Sequence, residues 1–236
     1  MKNFFSQEWA KLKEMNFTDK RQYIWEYYKL HILFTVLGLF IMGSLINIWF
    51  INPPKRDYLY IAWQAGHVSF ESLDDLGERL SVIVSDSDRY RVTVSSYMMP
   101  EDPQMIQAMA TRFHALLTIG GLHLMLATEQ GIQEGADAGL IRPPTEVLEI
   151  VRELNPAMYD ELTGRVLILT YTPGEGEDAP TFTDEIAINI GGAPLLLDVG
   201  LTMDDLYLGI VSNIQHFDEI ARALIIMFSE DIYAER

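Results

Sequence analysis

The chain has 236 residues, with 34 acidic against 17 basic side chains, a net charge of −17, 49% hydrophobic residues and no cysteine. The absence of thiols excludes a disulfide framework and thiol chemistry, and so acidic a balance works against nucleic acid and anionic lipid as partners of the acidic part. The charge is unevenly spread: residues 1–56 carry eight basic and four acidic groups and all six lysines, which leaves −21 on residues 57–236.

Residues 1–29 form a polar, aromatic-rich segment expected to be cytoplasmic and helical in two short stretches, broken around Asn16, with Thr18 or Asp19 capping the second. In that second stretch Tyr23, Trp25, Tyr27 and Tyr28 place amphipathic rings at the headgroup level of a bilayer, and Lys29 snorkels outward from the hydrocarbon. The same aromatics also offer a docking surface for a membrane partner. Residues 30–51 are expected to cross the membrane. Within them, 32–51 holds no charge and only Thr35, Ser44 and Asn47 as polar side chains. A helix of this length spans roughly 30 Å, the thickness of a hydrocarbon core.

The lysine asymmetry puts the amino end in the cytoplasm and the rest outside, so the expected location is the cell membrane, crossed once. The long polar lead and the exit sequence WFINPPKR, which lacks small residues for a signal peptidase, point to an uncleaved signal anchor instead of a removed signal peptide. Gly43, Ser44 and Asn47 are the candidate positions for lateral helix contact inside the membrane. Pro53 and Pro54 stop the helix, and 52–57 reads as a short linker.

The outer portion, 58–236, is long enough for one domain with a substantial core. Its pattern alternates strand and helix. Residues 58–64 read as a strand; Phe70, Leu73, Leu76, Leu80 and Ile83 recur at helical spacing; and 89–98 alternate again as a strand. Asp102 with Pro103 opens a helix with the stripe Ile106, Met109, Phe113, Leu116 and Leu117, closed by Gly120 and Gly121. A third strand at 122–128, a short helix, a helix broken at Pro156, two strands joined by the GEGEDAP turn, a strand at 206–212 and a last helix from about His216 complete the order. The expected fold is α/β: one transmembrane helix plus an extracellular mixed sheet of about five strands, the first three parallel in the order 2-1-3.

From residue 58 to 148 this order resembles the first lobe of the extracellular solute-binding proteins of bacterial ABC importers, of the periplasmic-binding-protein-like type II kind. The turn Ala138-Gly139-Leu140-Ile141-Arg142-Pro143 resembles one found there, and LYLGIVSN followed by HFDEIARALIIMF is similar to the family's last strand and helix. The amino end, YIWEYYKLHI running into the span, resembles single-pass proteins of Gram-positive bacteria that carry such an outer domain. Two features depart from the family: no aspartate follows the glycines that close the second helix, and only about 20 residues separate Leu148 from the strand at Arg165, too few for a second lobe.

Catalytic signatures are scarce, with no GxSxG, HExxH, P-loop or GxGxxG, and no enzyme activity, cofactor or metal is expected. His114 and His123 could form a metal pair by position alone; Asp86, Asp88, Glu101, Asp102, Glu175, Glu177 and Asp178 read as solvated acidic loops without EF-hand spacing. If a small molecule or cationic peptide binds, open α/β sheets place it beyond the carboxyl ends of the parallel strands, at Trp63, Gln64, His67, Ser96, Tyr97 and Glu129. Three functions are compatible with the pattern. The first is an anchored accessory subunit that contacts another membrane protein such as an ABC transporter; the second is a tethered solute or cationic-peptide receptor built on one lobe; the last is a cell-envelope enzyme.

Overall fold

The computed structural model describes residues 13, 15–51, 53, 55–83, 89–97, 102–174, 179–214 and 216–229. The acidic residues Asp86, Asp88, Glu101, Glu175, Glu177 and Asp178, and residues 1–12 of the amino-terminal segment expected to be cytoplasmic, lie outside them. The chain divides into two compact units, Met1–Pro54 and Lys55–Arg236.

In the first unit the helix α1 (Phe17–Ile46) continues as one π-helical turn through Asn47–Ile51. Asn16, not Thr18 or Asp19, occupies the cap position, with extended backbone and no side-chain cap bond, and Asp19 falls in the first turn where an acidic group suits the helix dipole. Its stretch Trp25–Ile51, 27 residues, is long and apolar enough to cross a membrane. The rings of Tyr23 and Tyr27 lie 4.7 Å apart and those of Tyr28 and His31 6.0 Å apart, so the aromatics cluster at the polar end of that stretch. Gly43 leaves open space where a Cβ would stand, while the Asn47 amide N–H donates to the carbonyls of Gly43 and Ser44 where the π turn begins.

The second unit is built on a mixed sheet. Its strands are β1 (Arg56–Trp63), β2 (Tyr90–Ser96), β3 (Leu124–Ala127), β4 (Ile141–Arg142), β5 (Val166–Tyr171), β6 (Phe182–Asn189) and β7 (Tyr207–Val211). Their order is β2-β1-β3-β7-β6-β5, with β4 also on β7. β1 is parallel to both β2 and β3, which gives the expected 2-1-3 core, and every other pairing is antiparallel. Seven strands replace the expected five or so because β4 and both strands of the β5–β6 hairpin join the same sheet through β7. The segment that would have to supply a second lobe thus extends the first sheet. Arg56 and Asp57 already pair with β2, so the linker is shorter than 52–57.

The helices of this unit are α2 (Phe70–Leu80), α3 (Pro103–Thr118), α4 (Glu129–Asp137), α5 (Thr145–Leu154), α6 (Pro156–Thr163), α7 (Pro194–Asp198) and α8 (Phe217–Phe228). Local chemistry explains their starts. Ser69 caps α2 by accepting from the Ser72 amide, Asp102 caps α3 before Pro103, Thr128 caps α4, and Asn155 caps α6 where Pro156 interrupts the run. Because the chain steps outward from β1 to β2 and then back across to β3, right-handed crossovers put α2 and α3 on opposite faces.

The larger core gathers Leu73, Leu76 and Leu80 of α2, Val147 and Val151 of α5, and Ile220, Leu224 and Met227 of α8 against β1 and β3. A second cluster lies under α4, where Ile132 and Ala136 meet Met125, Ile141, Ile186 and Tyr207. Phe70 departs from its expected place in the α2 stripe: it opens the helix and is 80% exposed. At Gly77 a Cβ would sit 2.8 Å from the Val92 carbonyl oxygen, so only glycine lets α2 lie this close to β2.

Candidate functional site

Strand direction gathers one end of the sheet into a single rim. β1, β2 and β3 all finish there; β7 runs the other way and starts there, with Tyr207 opposite Ala127; β6 ends beside it, with Asn189 opposite Tyr207; and β5 starts there, with Val166 opposite Ile188. The residues expected to meet a ligand lie along the parallel half of this rim. Trp63 is opposite Ser96, the Tyr97 amide donates to the Trp63 carbonyl at 2.8 Å, and the Gln64 amide donates to the Leu126 carbonyl at 2.7 Å.

Their side chains divide into buried and open ones. Trp63 is turned inward, 1% exposed, and its indole N–H donates to the Gly66 carbonyl at 2.8 Å, so the ring closes its own loop and presents no face at the surface. Gln64 is half-buried, His67 and Ser96 are exposed, and Glu129 is exposed as the first residue of α4. Tyr97 is buried, and its hydroxyl lies 3.0 Å from that of Tyr60, which also accepts from the Arg112 guanidinium at 2.9 Å. Burial, reinforced by the Tyr60 hydroxyl, holds the Tyr97 phenol above its ordinary range. This network, with the Phe113 ring 5.3 Å from that of Tyr97, anchors α3, whose own stripe is only half-buried.

The antiparallel half of the rim holds an open groove of about 400 Å³ lined by Gly164, Arg165, Val166, Leu167, Asn189, Gly191, Asp204 and Tyr207. Its floor depends on one close approach: a Cβ on Gly191 would stand 2.0 Å from the Asp204 carbonyl oxygen. The Gly191 amide donates to the Asn189 side-chain oxygen at 2.8 Å, which orients that amide group. Arg165 is held from three sides, donating to the Gly191 carbonyl and to Glu161, each at 3.2 Å, with its guanidinium 4.9 Å from the Phe228 ring centre. Asp204 is exposed and has no ion-pair partner among the described residues. Tyr207 is 8% exposed, and among the described residues its hydroxyl has no hydrogen-bond partner.

At the start of β1, the opposite rim, Tyr58, His123, His216 and Glu219 form a second polar cluster. Tyr58 donates to Glu219 at 2.7 Å, the His123 and His216 rings lie 5.1 Å apart, and the Tyr60 amide donates to His123 Nδ1 at 3.0 Å. Burial first, then the neighbouring His216, pushes the His123 imidazole down to about 4. His123 thus pairs with His216, while His114 is exposed on α3. Among the described residues no three His, Asp or Glu side chains come together in a way that could hold a metal ion.

The groove residues escaped sequence reasoning. Arg165, Asn189, Asp204 and Tyr207 sit in four separate segments and form no spaced motif; the one available signal was glycine at 164 and 191 flanking polar residues at strand ends. No protein-family model, no curated protein and no solved structure matches the chain.

Proposed function

We propose that the protein is a membrane-anchored interaction subunit that crosses the bilayer once by α1, keeps its amino end in the cytoplasm, and presents the α/β unit outside to another membrane protein. The observation that carries this reading is the junction between the two units. The apolar helix runs to Ile51 and β1 begins at Arg56. Five Cα steps cannot exceed roughly 19 Å, so the tether keeps the outer unit at the membrane surface, and a partner must meet it there.

Three further facts support the reading. Six Lys or Arg residues (Lys2, Lys11, Lys13, Lys20, Arg21 and Lys29) precede the apolar run and two (Lys55 and Arg56) immediately follow it, the bias of the positive-inside rule. The aromatics Tyr23, Trp25, Tyr27 and Tyr28 with Lys29 stand where α1 would leave the hydrocarbon, and Gly43 and Ser44 offer a small-residue face for a neighbouring helix. The single sheet, with β7 returning beside β3 and α8 after it, is in keeping with one lobe of a solute-binding protein that has no second lobe to close over a ligand, which favours contact over capture. An ABC transporter is the partner class to which the resemblance points. The function is read as non-catalytic.

The test of the topology is protease added to intact protoplasts. Digestion of the acidic unit with survival of the lysine-rich amino end is the expected result, and protection of the acidic unit would overturn the assignment.

A further inference from the structure

We propose that the groove at the antiparallel half of the rim, between Arg165, Asn189, Asp204 and Tyr207, is a binding site for a small neutral polyhydroxylated solute such as a sugar. Its volume, about 400 Å³, lies within the roughly 300–1,000 Å³ of small-molecule sites. The inference goes beyond the proposed interaction role and does not rest on it, since the site lies wholly within the outer unit.

The decisive feature is Tyr207. A phenol more than nine-tenths buried normally finds a partner, because an unpaired buried hydroxyl forfeits its hydrogen bonds to water. Tyr207 lines the groove, and among the described residues its hydroxyl has none. Beside it, the Asn189 side-chain oxygen accepts from the Gly191 amide, which leaves the donors of its NH₂ to spare. Arg165 has five N–H donors, and its two bonds, to Gly191 and Glu161, leave others to spare. Asp204 supplies acceptors only.

Charge selects the ligand class. Glu161 already balances Arg165, so no uncompensated cation waits for a carboxylate or phosphate, and the −21 of the outer portion repels anions. A cation drawn to Asp204 would meet the Arg165 guanidinium in the same groove. Hydroxyl groups satisfy both sides, since each can donate to Asp204 and accept from Asn189, Arg165 or Tyr207. Val166 and Leu167 complete the lining of the groove.

The test uses the full-length protein in detergent micelles and a defined panel: glucose, galactose, mannose and N-acetylglucosamine with their common disaccharides, and acetate, choline and alanine as anionic, cationic and zwitterionic controls. Binding is followed by saturation-transfer NMR and titration. At least one sugar is expected to bind saturably at millimolar concentration or below while the controls do not. Tyr207→Phe should weaken that binding about tenfold, the loss of one hydrogen bond to the ligand, and Asp204→Asn by a similar factor. Without ligand, Tyr207→Phe should leave the thermal midpoint unchanged or raise it, because no internal bond is removed. Three results would each overturn the proposal: no saturable sugar binding, preferential binding of a charged control, or a clear drop in midpoint on removing the Tyr207 hydroxyl.

Discussion

Acidification from pH 7 to pH 5 should destabilise the outer unit through a single buried imidazole. His123 is 5% exposed, and the Tyr60 amide donates into its Nδ1, which places the neutral ring's own proton on Nε2. Protonating Nδ1 would cost that bond, leave a charge in the core and set it 5.1 Å from the ring of His216, although Glu219 and Asp57 partly offset the charge. With the folded value pushed down to about 4 from an ordinary 6.5, the unfolded chain takes up the proton first as the pH falls. The stabilisation is therefore complete above pH 6.5 and is lost progressively below it, by about 2 kcal/mol between pH 7 and pH 5. For a domain of this size that is a fall of roughly 4–8 °C in melting midpoint. Burial raises the Glu219 carboxyl, but the Tyr58 hydroxyl, its own backbone amide and His216 outweigh that and hold it low, so its contribution fades only below the ordinary carboxylate range. Thermal unfolding of the full chain in detergent, followed by tryptophan fluorescence at pH 7, 6 and 5, isolates the effect when repeated with His123→Gln, which can still accept from the Tyr60 amide but does not titrate. An equal midpoint loss in both proteins, or none in the native one, refutes the reasoning.

Two further outcomes follow from close contacts. Gly191→Ala would drive a methyl group into the Asp204 backbone, and the displacement should cost about 3 kcal/mol of outer-unit stability, read as an earlier urea midpoint with unchanged slope. Arg112→Leu removes the donor to Tyr60 and should cost about 1–2 kcal/mol. Its signature is local: amide hydrogen exchange should quicken along α3, which that network anchors, and stay unchanged in α8.

Periodicity and punctuation made much of the fold readable. The alternation around Val92 and Val94, the Asp102-Pro103 start of α3 and the break at Pro156 are local signals, and the structure places elements at each. β4, with two residues, and α7, with five, are too short to carry a period. The joining of β5 and β6 to the main sheet depends on β7, which arrives only after α7, and no local pattern encodes that return. Phe70 reads as core by spacing yet faces outward at the first position of α2, where the stripe has not yet turned toward the sheet. Trp63 illustrates the limit for sites: its position at a strand end was legible, but its inward rotamer is set by the Gly66 carbonyl and by neighbours from β2 and β3. His123 and His216 are 93 residues apart and meet only because α8 starts beside the rim where β3 begins. The groove is similar, since Tyr207 and Asn189 become neighbours through strand register alone.

The proposed contact with another membrane protein at the bilayer surface can be tested by native mass spectrometry of the chain released from its own membranes in mild detergent. A defined complex is expected, in which a second integral membrane protein is present in stoichiometric amount and is lost when the α1 positions Gly43 and Ser44 are both changed to leucine. Release as a lone monomer under conditions that keep other membrane complexes intact would contradict it.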